Sequence, residues 1–222
     1  MFVLKYEIFD MKGSCMNLYL DIETLPAGGE DMELIKQFWE EAKAKSKANG
    51  GLRKTESDFD TFFRNTSFQG EFGRILCLCY AIDDAEVVGL AGDEKEILQK
   101  FWGIAKDANL FIGHNVMEFD LRFIYKRSII KGVRPSRDLS FARYRSSPIY
   151  DTMKEWEKWG AIGTSLHKLS IALGIASPKE EGIDGSKVYD YFLAGKTDEI
   201  VKYCKRDVEA TRKVYKKMTF QA

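Results

Sequence analysis

Four acidic residues stand where their type and spacing could do chemistry. Asp21 and Glu23 lie in "NLYLDIETLPAGG", residues 17–29. Leu18, Leu20 and Ile22 alternate there with Tyr19, Asp21 and Glu23, the period of a strand that ends at Pro26. Alternation sends Asp21 and Glu23 to the same face, where two carboxylates repel, and neither has a Lys or Arg close by in the sequence. Asp120, in "GHNVMEFD", falls at a loop-to-helix junction, a place where the helix dipole by itself favours an acid. Asp207, in "YCKRDVEAT", falls on a helix whose inward stripe is Ile200, Val201, Cys204, Val208, Thr211, Tyr215 and Met218. Tyr203 precedes Asp207 by one turn and shares its face.

Brought together, Asp21, Glu23, Asp120 and Asp207 would offer only oxygen ligands, which select hard cations, Mg²⁺ or Mn²⁺, over zinc. Two such ions about 3.5–4 Å apart can clamp the attacking and leaving oxygens of a phosphodiester. They would also relieve the repulsion between Asp21 and Glu23.

Positioning these residues requires a sheet with crossovers. After the first strand, Leu34, Ile35, Phe38, Trp39 and Ala42 recur at helical spacing. The polar, glycine-containing stretch that follows, "KAKSKANGGLRKTESD", reads as a mobile loop, so residues 26–72 look like an insertion between two strands. Strands are expected near 74–82 and 86–91, with a turn at "DDA", then a helix near 94–106 with Ile97, Leu98, Phe101, Trp102 and Ala105 on one face. A strand at "NLFIGHN", a helix over 118–131 and a strand at "PIYDTM" follow. Helices at "SLHKLSIALG", "SKVYDYFLA" and 197–218 complete the reading. Strands mixed with crossover helices imply an α/β domain around one sheet.

The motifs "DIET", "HNVMEFD" and "YCKRD" resemble the three exonuclease motifs of the DEDD 3′-5′ exonucleases, and Tyr203 matches their tyrosine subclass. The histidine subclass places His five residues before the last Asp, where this chain has Lys202. The tail "DGSKVYDYFLAGKTDEIVKYCKRDVEATRKVY" is similar to stand-alone relatives of the family B DNA polymerase proofreading domain. The resemblance covers roughly residues 17–218. It implies a ribonuclease H-like fold with a central mixed five-stranded sheet flanked by helices. It also implies two divalent cations, Mg²⁺ or Mn²⁺: Asp21 bridging both, Glu23 and Asp207 completing one site, Asp120 the other. On this pattern residues 17–220 form the exonuclease domain with a helical insertion at about 26–72, and residues 1–16 are an N-terminal extension, with Met16 an alternative start.

Substrate contacts follow from the same resemblance. Thr24 and Leu25 would grip the terminal nucleotide, with packing the plain alternative for Leu25. Asn115 matches a substrate-contacting Asn. Phe119 could stack on a base, or continue the core stripe of Phe123 and Ile124. His114 lies beside them, or closes its strand with a hydrogen bond, and His167 reads as a surface residue. Asp151 is either a fifth acid or a strand-end residue bonded to backbone.

Lys plus Arg and Asp plus Glu are both 34, so net charge announces no polyanion, and any positive surface must be local. The stretch "RPSRDLSFARYRSS" supplies one: Arg134, Arg137, Arg143 and Arg145, with Phe141 and Tyr144 interleaved, could follow a phosphate backbone while rings meet bases. A solvated loop is the alternative. The four cysteines show no CxxC spacing and there are two histidines, which argues against structural zinc; Cys77 and Cys79 read as buried thiols of a reducing cytosol. No apolar run is long enough to span a membrane.

The expected activity is 3′-5′ exonucleolytic release of mononucleotides from single-stranded DNA. Two alternatives stay open: an exoribonuclease on the same fold, since only a 2′-hydroxyl contact separates the two, and a nucleic-acid-binding module without catalysis.

Overall fold

The computed structural model describes residues 16–48, 58–177 and 183–221. The N-terminal extension through Cys15 and the centre of the polar loop, 49–57, lie outside the described residues.

Strands β1 (Asn17–Leu25), β2 (Arg74–Ile82), β3 (Val88–Ala91), β4 (Leu110–Gly113) and β5 (Ile149–Asp151) form one sheet in the order β3-β2-β1-β4-β5. β1 is the middle strand. It runs antiparallel to β2 and parallel to β4; β3 is antiparallel to β2, and β5 parallel to β4. The mixed five-stranded sheet expected from the resemblance is therefore present.

Its two faces are covered by different helices. Leu18, Leu20 and Ile22 turn toward α3 (Glu94–Ala105) and α4 (Asp120–Ile130), in a core with Phe101, Trp102, Phe111, Leu121 and Ile124. Tyr19, Cys77, Cys79 and Ile112 turn the other way, beneath α8 (Thr197–Met218), against Ile200, Tyr203, Cys204 and Val208. Alternation along β1 thus puts Asp21 and Glu23 on the α8 side.

Local sequence explains the helices. Asp93 caps α3 by accepting from the Glu96 amide at 3.0 Å. α8 begins with Asp198 and Glu199 and ends with Lys216 and Lys217, each charge favourable to the dipole. Its buried positions, among them Ile200, Tyr203, Cys204, Asp207, Val208, Thr211 and Tyr215, make one apolar stripe with a single carboxylate in it.

Between β1 and β2 lie α1 (Met32–Ala48) and α2 (Phe59–Asn65), the second not anticipated from the sequence. The apolar stripe expected on α1 is only partly used: Ile35 is buried with Ala27 and Phe63, whereas Leu34 and Phe38 are exposed. α5 (Thr152–Trp156), directly after β5, was likewise unexpected; α6 (Leu166–Ala172) and α7 (Val188–Leu193) match the reading.

Candidate active site

The pairing of β1 creates the site. Its ladder with β4 stops at Tyr19–Ile112, so the amides further along that edge need other partners. The Ile22 amide finds one in Asp120, whose Oδ1 accepts from it at 3.0 Å. Asp120 is the first residue of α4 and is buried. One hydrogen bond therefore pins the helix start against the strand segment that carries Asp21 and Glu23.

From the opposite side, α8 delivers Asp207. Carboxylate oxygens of Asp21, Glu23 and Asp207 all lie within 4.8 Å of one another, and Asp120 stands outside this trio. Of the four carboxylates expected to converge, Asp21, Glu23 and Asp207 form this trio, and Asp120 reaches it through its hydrogen bond to the Ile22 amide and through its charge on Asp21. Burial raises the Asp21 carboxyl well above its ordinary range, and the charges of Asp120, Asp207 and Glu23 raise it further. Burial raises Glu23 in the same way, assisted by Cys77, Asp207 and Asp120. Asp120 is raised to about 7, chiefly by burial, against the lowering effect of the Ile22 hydrogen bond. The donor set is all carboxylate oxygen, closely spaced, and held in a state that a cation would relieve. These residues fit hard divalent ions.

Tyr203 is buried beside the trio and hydrogen-bonded to Asp207. Burial, then the Asp207 charge, lifts its phenol far above the ordinary value, so the hydroxyl keeps its proton. Tyr203 and Asp207 form one wall of a cleft of about 330 Å³, shared with His114, Asn115, Met153 and His167.

Several candidates resolve into structural parts. Asp151 is a clamp: it accepts from the amides of Asn115, Met117 and Met153 at 3.0 Å and of Lys154 at 3.2 Å, and so takes the backbone-bonded alternative. Asn115 is held in a left-handed conformation, φ +61°, which Asn tolerates better than most residues. Two residues before it, Gly113 leaves no room for a side chain, since a Cβ would sit 2.5 Å from that of Val116. His114 is engaged at both ring nitrogens, Nδ1 with the Thr152 hydroxyl at 2.9 Å and Nε2 with the Thr164 carbonyl at 2.9 Å. Burial lowers its pKa, so it stays neutral. Leu25 is buried in the α8-side core. Thr24 donates to the Ser67 carbonyl at 2.7 Å.

The arginine-rich stretch divides. Arg143, Tyr144 and Arg145 are exposed, as is Arg134. Arg137 instead donates to the Ala108 carbonyl and lies over the Phe111 ring, and Phe141 packs partly buried against Tyr125. Four arginines interleaved with free rings is therefore corrected to three arginines and one exposed tyrosine.

Three features escaped the sequence reading. His167, expected at the surface, is half-buried and lines the cleft, with Nδ1 2.6 Å from the Ser177 hydroxyl. Phe68 is 65% exposed, its ring centroid 6.3 Å from that of the partly buried Phe119. It follows Ser67, whose carbonyl accepts from Thr24, and its neighbour Phe119 directly precedes Asp120; an aromatic in an otherwise polar turn, "NTSFQG", was the available signal. Cys204 donates to Asp21, its Sγ 3.3 Å from Oδ2, and has Cys77 and Cys79 for neighbours.

The sheet order, the flanking helices and the carboxylate position define a ribonuclease H-like α/β fold. Residues 79–222 match the model of a family described as "Predicted 3′-5′ exonuclease related to the exonuclease domain of PolB". The chain belongs to that family. The matched region contains Asp120, Tyr203 and Asp207 and begins after Asp21 and Glu23. Among solved structures, the family B DNA polymerase of the hyperthermophilic archaeon Pyrobaculum calidifontis superposes with a TM-score of 0.64 at 16% identity, over 92% of this chain. The chain spans 24% of that polymerase. No curated protein matches the chain significantly in sequence.

Proposed function

We propose that the protein is a metal-dependent 3′-5′ exonuclease of the tyrosine subclass of the DEDD family, releasing nucleoside monophosphates from the 3′ ends of single-stranded DNA. The observation that carries this reading is the Asp21–Glu23–Asp207 trio within 4.8 Å, acted on by the charge of Asp120, in a chain of an exonuclease family.

Asp21, Glu23 and Asp207 would hold one Mg²⁺ or Mn²⁺, and Asp120 with Asp21 a second. Such ions would supply a water of lowered pKa and charge stabilisation at the attacking and leaving oxygens. The protein's own residues do the rest. The Ile22–Asp120 hydrogen bond fixes the spacing of the two carboxylate groups. Tyr203, whose phenol is too weakly acidic to serve as a base at neutral pH, orients the attacking water through its hydroxyl. Asn115 presents its side chain to the terminal nucleotide from the conformation that Asp151 enforces. Phe119 and Phe68 offer stacking surface, and Arg143 and Arg145 offer charge to the strand behind it. Thr24 supports this wall from the rear, and His114 and Leu25 hold the scaffold in place. α1, α2 and the turn after α2 lie between β1 and β2 and bring Phe68 against Phe119, the residue before Asp120. Among the described residues no helix is long and apolar enough to cross a membrane, and the reduced thiols suit the cytosol.

The test is incubation of metal-free protein with matched 5′-labelled DNA and RNA single strands, with Mn²⁺, Mg²⁺ or excess EDTA. Stepwise shortening of DNA from the 3′ end, dependent on metal, is expected. Equal cleavage in EDTA would reject the two-metal reading, and preference for RNA would make the protein an exoribonuclease.

A further inference from the structure

Three of the chain's four cysteines meet directly behind the carboxylates. Cys77 and Cys79 are two residues apart on β2, so both side chains project toward α8, where Cys204 meets them. All three are 0% exposed, and their Sγ atoms lie within 4.8 Å of one another. Three sulfurs sharing an ion at the usual metal–sulfur distance of about 2.3 Å stand roughly 3.8–4.0 Å apart, so closing this cluster needs less than about 1 Å of side-chain adjustment. A fourth ligand is at hand, because Cys204 Sγ lies 3.3 Å from Asp21 Oδ2. Oxygen and sulfur donors thus adjoin through a single shared residue, Asp21.

We propose that Cys77, Cys79 and Cys204, completed by the Asp21 carboxylate, form a second metal site, selective for a thiophilic divalent cation of the Zn²⁺ class.

Softness sorts the two neighbouring sites. Mg²⁺ and Mn²⁺ prefer oxygen and leave the sulfurs alone; Zn²⁺ and Cd²⁺ take thiolates, releasing their protons to solvent. Because Asp21 belongs to both sites, loading the sulfur site withdraws a ligand from the oxygen site. Filling it therefore opposes cleavage, a consequence that rests on the exonuclease reading; the binding itself does not. Full burial means that the ion enters most readily while α8 is undocked, so exposure of the chain to metal during folding matters.

Cd²⁺ is the probe, since sulfur-to-cadmium charge transfer absorbs in the ultraviolet and oxygen ligation does not. Cd²⁺ is titrated into Cys15→Ser protein in excess Mg²⁺, both natively and during refolding, with melting temperature recorded alongside. The expected result is a charge-transfer band saturating at one equivalent per chain with a raised melting temperature. Both should be lost in Cys79→Ser and in Cys204→Ala, while Asp21→Asn keeps the band with weaker binding. Absence of the band by either route in protein that melts cooperatively would overturn the proposal, as would a band that survives Cys79→Ser and Cys204→Ala together. Neither outcome depends on whether the protein cleaves DNA.

Discussion

Glu94, buried, and Asp21, partly buried, are carboxylates on opposite faces of the same sheet, and their surroundings are opposites. Glu94, at the start of α3, accepts from the Ile75 amide at 2.8 Å and from Arg127 through two parallel bonds of 2.8 Å, with Lys131 at 3.4 Å. Every lone pair it turns inward has a donor. The charges acting on Asp21 are those of Asp120, Asp207 and Glu23, all of its own sign. A chain able to build the first arrangement was able to neutralise the second. The contrast marks Glu94 as part of the scaffold and the quartet as a place where stability is given up for a task.

Substitutions should separate the two regions. The largest effect is expected from Asp21→Asn: single-turnover cleavage falls by roughly three decades or more, because a ligand to both ions is weakened. The metal-free melting temperature should meanwhile rise, since one repelling charge is gone. A fall in calorimetry in EDTA would break the comparison. Arg127→Met should do the reverse. Leaving Glu94 buried without its partner costs on the order of 3–5 kcal/mol in denaturant unfolding, while cleavage per folded molecule is kept. The Glu94→Gln, Arg127→Met pair should recover much of that loss.

Tyr203→Phe comes next. It removes a hydroxyl that positions water and leaves the ligands in place, so the rate should drop about 10- to 1,000-fold with Mn²⁺ affinity near that of the parent. A chemistry-limited rate equal to the parent's would reduce Tyr203 to packing. The pH dependence sharpens the contrast further. Asp120 is raised to about 7, and Asp21 and Glu23 are raised too, from unfolded values of about 4. Folded protein therefore holds protons that the unfolded chain has lost. That contribution is complete below the unfolded values and disappears as pH rises through the folded ones. In EDTA the melting temperature should fall between about pH 5 and 8, and Mg²⁺ should flatten the slope. The smallest effect belongs to the exposed loop: Arg143→Gln with Arg145→Gln should flatten the salt dependence of DNA binding by about one log-log unit per lost phosphate contact. An unchanged slope would return that loop to a merely solvated role.

Much of this was written locally. Period-two alternation in β1 fixes the shared face of Asp21 and Glu23, and the stripe of α8 carries Tyr203 and Asp207 onto the sheet whatever the rest of the fold. What was not legible depends on contacts between distant segments. Cys204 looked like one apolar residue of a stripe and Cys77 and Cys79 like two of a strand; only docking α8 across β2 makes them a cluster. His167 sits on a short helix whose polar flanks suggest solvent, yet that helix closes the cleft. Arg137 read as one of four equivalent cations until the fold placed the Ala108 carbonyl within its reach. Leu34 and Phe38 show the converse: helical spacing made a stripe wider than the face α1 buries.

The contact between Cys204 and Asp21 joins residues 183 positions apart. A ribosome delivering roughly 5–20 residues per second exposes β1 many seconds before α8 exists. By the time α4 has followed, three of the four carboxylates and the parallel neighbour β4 are present, but Asp207 and Tyr203 are not. On the exonuclease reading the nascent chain is therefore inert toward nucleic acid, and competence would arrive in one step when α8 docks. Appearance of cleavage during synthesis or refolding would time that docking event, a clock that spectroscopic signals from secondary structure alone would run ahead of.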